Sequence, residues 1–352
     1  MTPRWTDVAR WLEALRDQPR PRLDLSVEGA HLACDVALDA LSPAVLARVA
    51  AMDVAPFGRA RFVAARTVCT APLEWMAVLL GRGTAVELQV PSAPSDTGRL
   101  WAAWGASARA LGLPLVVGTR GEGMERSDAP LVVVMGGDDT IRELARGVSS
   151  GAQYLGFGSR YSAAVCEDAG DAEAVARDLV LHDGRGCMSP GLVLAHDADV
   201  ANALAQALEA AQAKWPRGRL SDAEHAAIRS RGALARVSGR VVQGDAWAVH
   251  VLPWSRRRVE SLPRAPLVVV PPDLDEALAQ LAADPHLSTL GTSRPLAPTA
   301  GGRVVPVGCQ QRPPVERHHD GVDWLRVAAI PGDPLASGDI LRGGGPSPTE
   351  AK

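Results

Sequence analysis

The sequence predicts an α/β protein, because short apolar strands alternate along it with amphipathic helices. Two strands are predicted most clearly, because Leu131–Met135 and Leu267–Val270 are uninterrupted apolar runs of strand length. A helix is equally plain at Arg99–Leu111, where leucine and tryptophan residues recur on one broad face. At 352 residues and 47% hydrophobic content, the chain has room for two domains with their own cores.

The N-terminal half contains four predicted strands and four predicted helices. The first helix covers the opening residues, MTPRWTDVARWLEALRDQ, whose scattered charges also exclude a secretory signal. Glycines at positions 81 and 83 end the second helix. In chain order after the first helix, we expect strand Phe62–Cys69, helix Pro72–Leu80, strand Ala85–Val90, helix Arg99–Leu111, strands Leu115–Val117 and Leu131–Met135, and helix Asp138–Arg146.

The C-terminal half continues the alternation. An N-capping Asp171 predicts a helix over Asp171–Leu181. The run Ala328–Lys352 is rich in Pro, Gly and Ser and predicts a flexible tail. Between them we expect strand Gly191–Ala195, helix Asp199–Lys214, strands near Val237–Val242, Ala246–Val251 and Leu267–Val270, and helix Asp273–Ala282.

Charge and cysteine content exclude several classes of protein. A net charge of −3 indicates neither nucleic acid nor an anionic membrane as partner, and apolar runs of four or five residues are too short to span a bilayer. Five cysteines without CxxC spacing argue against a disulfide framework and a zinc site, so a reducing cytoplasm is expected. His318-His319-Asp320 lacks further ligands at a familiar spacing, and we expect no metal. The charge run 256–258 is interpreted as a solvated loop.

One cysteine, Cys187, stands in a glycine-rich turn typical of a covalent thiol catalyst. Gly184 and Gly186 allow backbone amides to approach the sulfur, where they could hold an oxyanion formed when a thiolate attacks a carbonyl. His182 and Arg185 are candidate sources of positive potential for the thiolate. The alternative is a buried structural thiol, which is our interpretation of the other four cysteines, Cys34, Cys69, Cys166 and Cys309.

A second chemical feature is the glycine pair Gly136-Gly137, which lies between a strand and a helix. Such a pair can present amides to a phosphate, although Asp138 and Asp139 would repel an anion and could simply cap the helix. A tight strand-to-helix turn is the alternative. GxGxxG is absent here.

The order of these features resembles the aldehyde dehydrogenase superfamily and, within it, the LuxC-type fatty acyl-CoA reductase family. Three segments carry the resemblance: the cysteine turn Arg185–Pro190, the preceding Gly158–Ser162, and the closing Val304–Leu325 with its Gln-x-Pro-Pro and His-Asp-Gly. It covers roughly residues 60–325 and rests on the combination of motifs.

The resemblance implies an aldehyde dehydrogenase-like fold with a Rossmann-like cofactor domain and an α/β catalytic domain. Residues 1–157 would form N-terminal helices and the NADP-binding domain, and 158–300 the catalytic thiol domain. Residues 301–330 would be a C-terminal return segment and 331–352 a flexible tail. A homo-oligomer is expected by analogy.

The implied reaction is NADPH-dependent reduction of acyl-CoA, or another acyl thioester, to an aldehyde through an acyl-enzyme on Cys187. A thiolate exchanges readily with a thioester. Acid-forming relatives need a glutamate to activate water, and the corresponding stretch Tyr154–Gly158 holds none.

The resemblance also implies further site residues, with two departures from the family pattern. Gln89 stands at the cofactor position where the superfamily commonly has a lysine, and Gly136 and Gly137 would contact the cofactor. Thr70 replaces the usual asparagine as donor to the oxyanion.

Two other functions stay open. Loss of the lysine at Gln89 is compatible with a divergent, non-reducing acyl-binding or partner subunit of the same fold. The stretch GGDDT also resembles the Gly-Gly-Asp-Gly-Thr phosphate loop of NAD and lipid kinases, but Asp139 replaces a required glycine, and Cys187 is then unexplained.

Overall fold

A computed structural model describes residues 3–91, 95–119, 128–255, 259–294, 296, 299 and 302–327. The expected tail 331–352 and the charge run 256–258 lie outside these residues.

The first half of the chain forms a five-stranded, all-parallel sheet in the order β3-β2-β1-β4-β5. Its strand Leu131–Met135 is apolar and buried along its whole length, as is usual for strands inside parallel sheets. The strands are β1 Arg59–Val63, β2 Ala85–Val90, β3 Leu115–Thr119, β4 Leu131–Met135 and β5 Gln153–Phe157.

Six helices accompany this sheet, and the first three pack with α4 and α5 in one core. Aromatic rings centre that core: Trp11 and Trp104 lie against Trp101, with ring centroids 6.5 and 5.4 Å away. Serine N-caps begin α2, α3 and α5. The helices are α1 Pro3–Asp17, α2 Val27–Asp39, α3 Pro43–Ala50, α4 Leu73–Arg82, α5 Asp96–Ala110 and α6 Asp138–Ala145.

The second half forms a seven-stranded sheet in the order β12-β11-β6-β7-β10-β9-β8, parallel except for the edge strand β8. Its middle strands are buried along their length. The strands are β6 Tyr161–Cys166, β7 Pro190–Ala195, β8 Arg240–Gln243, β9 Ala248–Pro253, β10 Leu267–Val270, β11 Leu287–Gly291 and β12 Arg303–Val305.

Four helices belong to the second half: α7 Ala169–Val180, α8 Val200–Lys214, α9 Asp222–Ser238 and α10 Leu274–Ala282. A complete capping box, Ser221 with Glu224, begins α9.

The chain passes between the sheets twice. It leaves the first sheet at Phe157 and enters the second at Tyr161. After β12 it returns, and Trp324, in a short 3-10 turn, packs 4.5 Å from Trp75 in the core of the first half. Residues 306–323 therefore run along the junction of the two halves, where the candidate site lies.

The α/β fold class is confirmed, and several element boundaries are corrected. The strand expected over Phe62–Cys69 is β1, which lies nearer the N-terminus because its two arginines pair within the sheet. Cys69 belongs to the turn before α4. The strand expected near Val237–Val242 is β8, displaced toward the C-terminus because α9 extends to Ser238. Asp168, rather than Asp171, caps α7.

None of the helices in the described part of the chain combines the length and the apolar character needed to cross a membrane.

Candidate active site around Cys187

Cys187 follows a turn with an unusual backbone. After α7, a short 3-10 segment over Leu181–Gly184 places His182 and Asp183 at φ of 53° and 56°. Gly184 and Gly186 follow at 74° and 102°. Non-glycine residues seldom occupy this left-handed region, so other contacts must hold the turn in place. We call residues 181–189 the Cys187 turn.

A buried ion pair between Arg264 and Asp183 stabilises the turn. The Arg264 guanidinium donates to Asp183 Oδ1 over 2.9 Å from Nε and 2.7 Å from Nη2, and both side chains are about 1% exposed. The Arg264 amide also donates to the Asp183 carbonyl at 3.0 Å. Gly218 donates its amide to the other carboxylate oxygen. Asp183 is therefore satisfied on both oxygens, as a buried charge requires.

Cys187 opens into an apolar cavity of about 530 Å³ between the two halves of the molecule. Helices α2 and α3, the segment before α4, the Cys187 turn and the segment 311–319 line it. Its apolar lining is Ala33, Val36, Ala37, Ala40, Val45, Leu73, Met135, Leu181, Pro313, Pro314 and Val315. We call this the apolar cavity.

A second, water-sized cavity of about 10 Å³ also borders Cys187 and has a polar lining. It is formed by Cys187, Met188, Ser288, Arg303, Arg317, His318, His319 and Asp320. We call it the polar cavity. Cys187 thus lies at the meeting point of an apolar and a charged environment.

The Cys187 thiol is protonated at neutral pH in this arrangement. Burial raises its pKa above the ordinary value, and the Asp320 carboxylate raises it further. A hydrogen bond with Ser288, the Arg317 guanidinium and the amide of Cys187 itself oppose the rise. A thiolate at Cys187 would therefore require a group that takes the thiol proton.

The expected role of His182 and Arg185 in stabilising a thiolate is wrong. Burial lowers the pKa of His182 to about 4, so its ring is neutral. The Arg185 side chain instead pairs with Glu224 at 2.6 Å and Asp183 at 3.2 Å. Sequence proximity to Cys187 did not reveal where these side chains point.

The cations that face Cys187 come from the C-terminal return. Arg317 forms a bidentate pair with Glu74 at 2.5 and 2.8 Å. Arg303 donates to Thr289, to the Gln310 carbonyl and to the Met188 sulfur, and burial lowers its pKa to about 10. No signal near Cys187 in the sequence points to them, because they lie more than a hundred residues away.

The structure brings Thr70 to Cys187 but not Gln89. Thr70 is buried, lines the apolar cavity and lies 3.4 Å from His182 Nε2 through its hydroxyl. Gln89 is buried at the end of β2, where its amide oxygen accepts a hydrogen bond from Arg61. The glycine pair Gly136-Gly137 directly follows Met135, which lines the apolar cavity.

Of the other cysteines, Cys34, Cys69 and Cys166 are buried, but Cys309 is exposed, which corrects its assignment as a core residue. The apolar residues next to Cys309 in the sequence suggested that it is buried, but this segment runs along the surface. Within the described ranges, no group of three or more His, Cys, Asp or Glu residues is placed to hold a metal.

Comparison with known protein families decides where this chain belongs. The family model described as acyl-CoA reductase (LuxC) matches residues 122–327, more than half of the chain. The chain belongs to the LuxC acyl-CoA reductase family. The resemblance stated from the sequence is thus confirmed, and the LuxC-family match contains the Cys187 turn, Arg303 and the His-Asp-Gly segment.

Solved structures similar to this LuxC-family chain are aldehyde dehydrogenases. One, a methylmalonate-semialdehyde dehydrogenase from Oceanimonas doudoroffii, has a TM-score of 0.70 at 13% identity, covering 92% of this chain and 84% of its own. An NAD-dependent aldehyde dehydrogenase from Sinorhizobium meliloti scores 0.66 at 15% identity, covering 86% and 73%. An acetylating aldehyde dehydrogenase from Geobacillus thermoglucosidasius scores 0.57 at 13% identity, covering 87% and 88%. These similarities confirm the expected aldehyde dehydrogenase-like fold.

A search of curated proteins found no match to this LuxC-family sequence.

Proposed function

We propose that this protein reduces an acyl thioester, acyl-CoA in the first instance, to an aldehyde through an acyl-enzyme on Cys187 with NADPH. One observation carries the proposal: Cys187, a residue of intermediate burial, lines an apolar cavity that Thr70 also lines. The family assignment gives the same reaction class.

The apolar cavity suits an alkyl chain. Alanine, valine, leucine, methionine and proline side chains make its wall mainly apolar, and such surfaces gain roughly 25 cal/mol per Å² when they exclude water. Its charged residues near α2 and α3 are paired, Arg48 with Glu316 at 2.5 Å and Asp39 with Arg16 at 2.8 Å. The acyl chain would lie against α2, with the thioester carbonyl at Cys187.

The chain's own groups perform the acyl transfer. The Cys187 sulfur attacks the carbonyl carbon, a new sulfur–carbon bond forms, and the bond to the thiol of coenzyme A breaks. The Thr70 hydroxyl and backbone amides of the Cys187 turn are the candidate donors to the carbonyl oxygen. The stretch Tyr154–Gly158 has no carboxylate to activate water, which favours an acyl-enzyme that persists.

A nicotinamide cofactor fits the end of the first sheet. Strand order reverses between β1 and β4, and ligands of open parallel sheets bind at such a switch point. Gly137 follows β4 there, and a Cβ atom added to it would meet nothing within 4 Å. Gly136 and Gly137 would hold the cofactor, which supplies hydride to the acyl carbon when bound. Gln89 would contribute only if it left Arg61.

The test uses purified protein, radiolabelled acyl-CoA and NADPH, with Cys187→Ala as control. We expect acyl label on the wild-type protein alone and NADPH oxidation that depends on Cys187. Label on neither protein would overturn the assignment of the nucleophile.

A second candidate, a non-reducing acyl-binding subunit, is favoured by one observation. Gln89, the residue in the usual place of a cofactor lysine, is buried and bonded to Arg61. Acyl label on Cys187 without any oxidation of NADPH or NADH would identify this function and reject reduction.

A further inference from the structure

We propose that His319 is the acid–base catalyst of acyl transfer at Cys187. It would accept the thiol proton as the sulfur attacks, and return it to the departing thiolate of the acyl donor. This inference rests on the proposed function, because it concerns the same nucleophile.

Position is the first argument. His319 lines both the apolar cavity and the polar cavity, and Cys187 also lines both. The imidazole therefore borders the space in which the sulfur, the thioester carbonyl and the leaving thiolate would meet.

The second argument concerns one nitrogen of the His319 ring. His319 Nδ1 is buried and has no hydrogen-bond partner among the described residues. A neutral imidazole has one donor and one acceptor nitrogen, and a buried nitrogen without a partner costs free energy. A substrate or thiol proton in the adjoining cavity would satisfy it.

The ring is also held in one orientation. It stacks on Phe157, with ring centroids 4.1 Å apart and planes inclined by 24°. The His319 amide donates to the Val322 carbonyl at 2.8 Å, and the Val322 amide donates back at 2.9 Å. A fixed side chain of this kind suits proton transfer, which depends on geometry first.

Charges from each neighbouring segment keep the ring neutral. Burial lowers the pKa of His319 well below its ordinary value, and Arg317, Arg303 and Arg160 lower it further. The carboxylates near these cations are themselves paired: Asp320 with Arg160 at 2.9 Å, and Glu74 with Arg317 at 2.5 Å. At neutral pH the ring is therefore a base, and Cys187 a thiol that has a proton to give.

The step balances without another reactant. The thiol and the acyl donor give acyl-Cys187 and free donor thiol: one sulfur–carbon bond forms and one breaks. The proton moves from Cys187 to His319 and then to the departing sulfur, so the histidine ends as it began.

His182 is the competing candidate. It is also neutral and lines the apolar cavity, and its Nδ1 likewise has no partner in the described ranges. However, its Nε2 faces Thr70 at 3.4 Å, and it does not line the polar cavity where the cations lie. The geometry therefore favours His319.

The experiment measures acyl transfer alone, as radiolabelled acyl-CoA incorporated into Cys187 in single turnover without a nicotinamide, from pH 5 to 9. His319→Gln is the test variant. His225→Gln is the matched control, because His225 is an exposed histidine on α9 that lines neither cavity. His182→Gln tests the competitor, and His319→Ala is assayed with and without added imidazole.

We expect His319→Gln to acylate Cys187 about 100-fold or more slowly at neutral pH, while His225→Gln matches the wild type. Imidazole should restore at least part of the rate to His319→Ala, which a merely structural role would not allow. Acylation of His319→Gln within about threefold of wild type, or a loss confined to His182→Gln, would overturn the proposal. If wild type itself is not acylated, the proposed function fails instead.

Discussion

At the scale of single residues, Cys187 shows how charge balance sets a thiol's reactivity. The sulfur lies between Asp320, which raises its pKa, and Arg317, which lowers it. Because Glu74 pairs with Arg317, part of that cation's effect is offset. The balance of these charges and of burial raises the pKa of the thiol.

Asp320→Asn should lower the pKa of Cys187. The substitution removes the carboxylate that raises the pKa and leaves Arg160, Arg303 and Arg317 nearby. Asparagine tolerates the left-handed φ of 51° at this position, so the fold should persist. The pH dependence of Cys187 alkylation, followed by mass spectrometry, should shift to lower pH.

Asp323→Asn is the control, since Asp323 pairs with Arg326 and His318 but lines neither cavity itself. Equal alkylation profiles for Asp320→Asn and wild type would contradict this electrostatic account. Cys309 is exposed and must be replaced by Ser in every protein compared.

At the scale of elements, the Cys187 turn connects α7 to β7 through a backbone that only specific contacts permit. Gly186 has φ of 102°, and a Cβ atom there would lie 2.6 Å from Val68 Cγ2. The turn is thereby tied to the segment that carries Thr70.

Gly186→Ala should destabilise the fold and displace the nucleophile. Left-handed backbone costs a non-glycine residue about 1–2 kcal/mol, and the contact with Val68 adds to it. Gly112→Ala is the matched control, because Gly112 has φ of 74° with nothing within 4 Å of the added Cβ. Denaturant unfolding should show a loss in both variants, larger in Gly186→Ala, whereas acylation should fall only in Gly186→Ala. Equal acylation by both variants would show that the close approach to Val68 is unimportant.

The ion pair between Arg264 and Asp183 leads to a separate prediction. Arg264→Met leaves the Asp183 carboxylate buried with its main cation gone, which should cost about 3–5 kcal/mol of unfolding free energy. Combining it with Asp183→Asn should recover part of that loss, since the uncompensated charge disappears. A double variant no more stable than Arg264→Met, in urea unfolding, would argue against a charge effect.

At the scale of the whole molecule, the stability should fall on acidification. Folded His182 and His250 have pKa values of about 4, while an unfolded histidine takes a proton near 6.5. The unfolded state therefore binds more protons between these values, and the unfolding free energy falls as pH is lowered. Asp178 acts in the opposite sense, because burial raises its folded pKa from 3.8 to about 6. One uncompensated proton costs about 1.4 kcal/mol per pH unit.

His250→Gln isolates this effect because His250 is buried in β9, away from Cys187. Its unfolding free energy should depend less on pH between about 6 and 4 than that of wild type or of His225→Gln. The same slope in all three proteins would refute the linkage. The measurement is urea unfolding at a series of pH values.

The sequence predicted much of the fold because its buried strands are continuous apolar runs. Leu131–Met135 and Leu267–Val270 were correct to the residue. Helices α2 and α3 were missed, although residues of both line the apolar cavity. Strands β11 and β12 were missed because short mixed segments become strands only beside an existing sheet.

By itself, the sequence determined the alternation of strands and helices, the glycine-rich turn at Cys187 and the family, because these are local patterns of residue type. Only the tertiary structure decided which groups act on the thiol. Arg303, Arg317 and His319 reach Cys187 through the C-terminal return, whereas Arg185 turns to Glu224. The physical reason is that electrostatic and proton-transfer effects depend on distance and burial in space, and side-chain direction is set by packing between segments far apart in the chain.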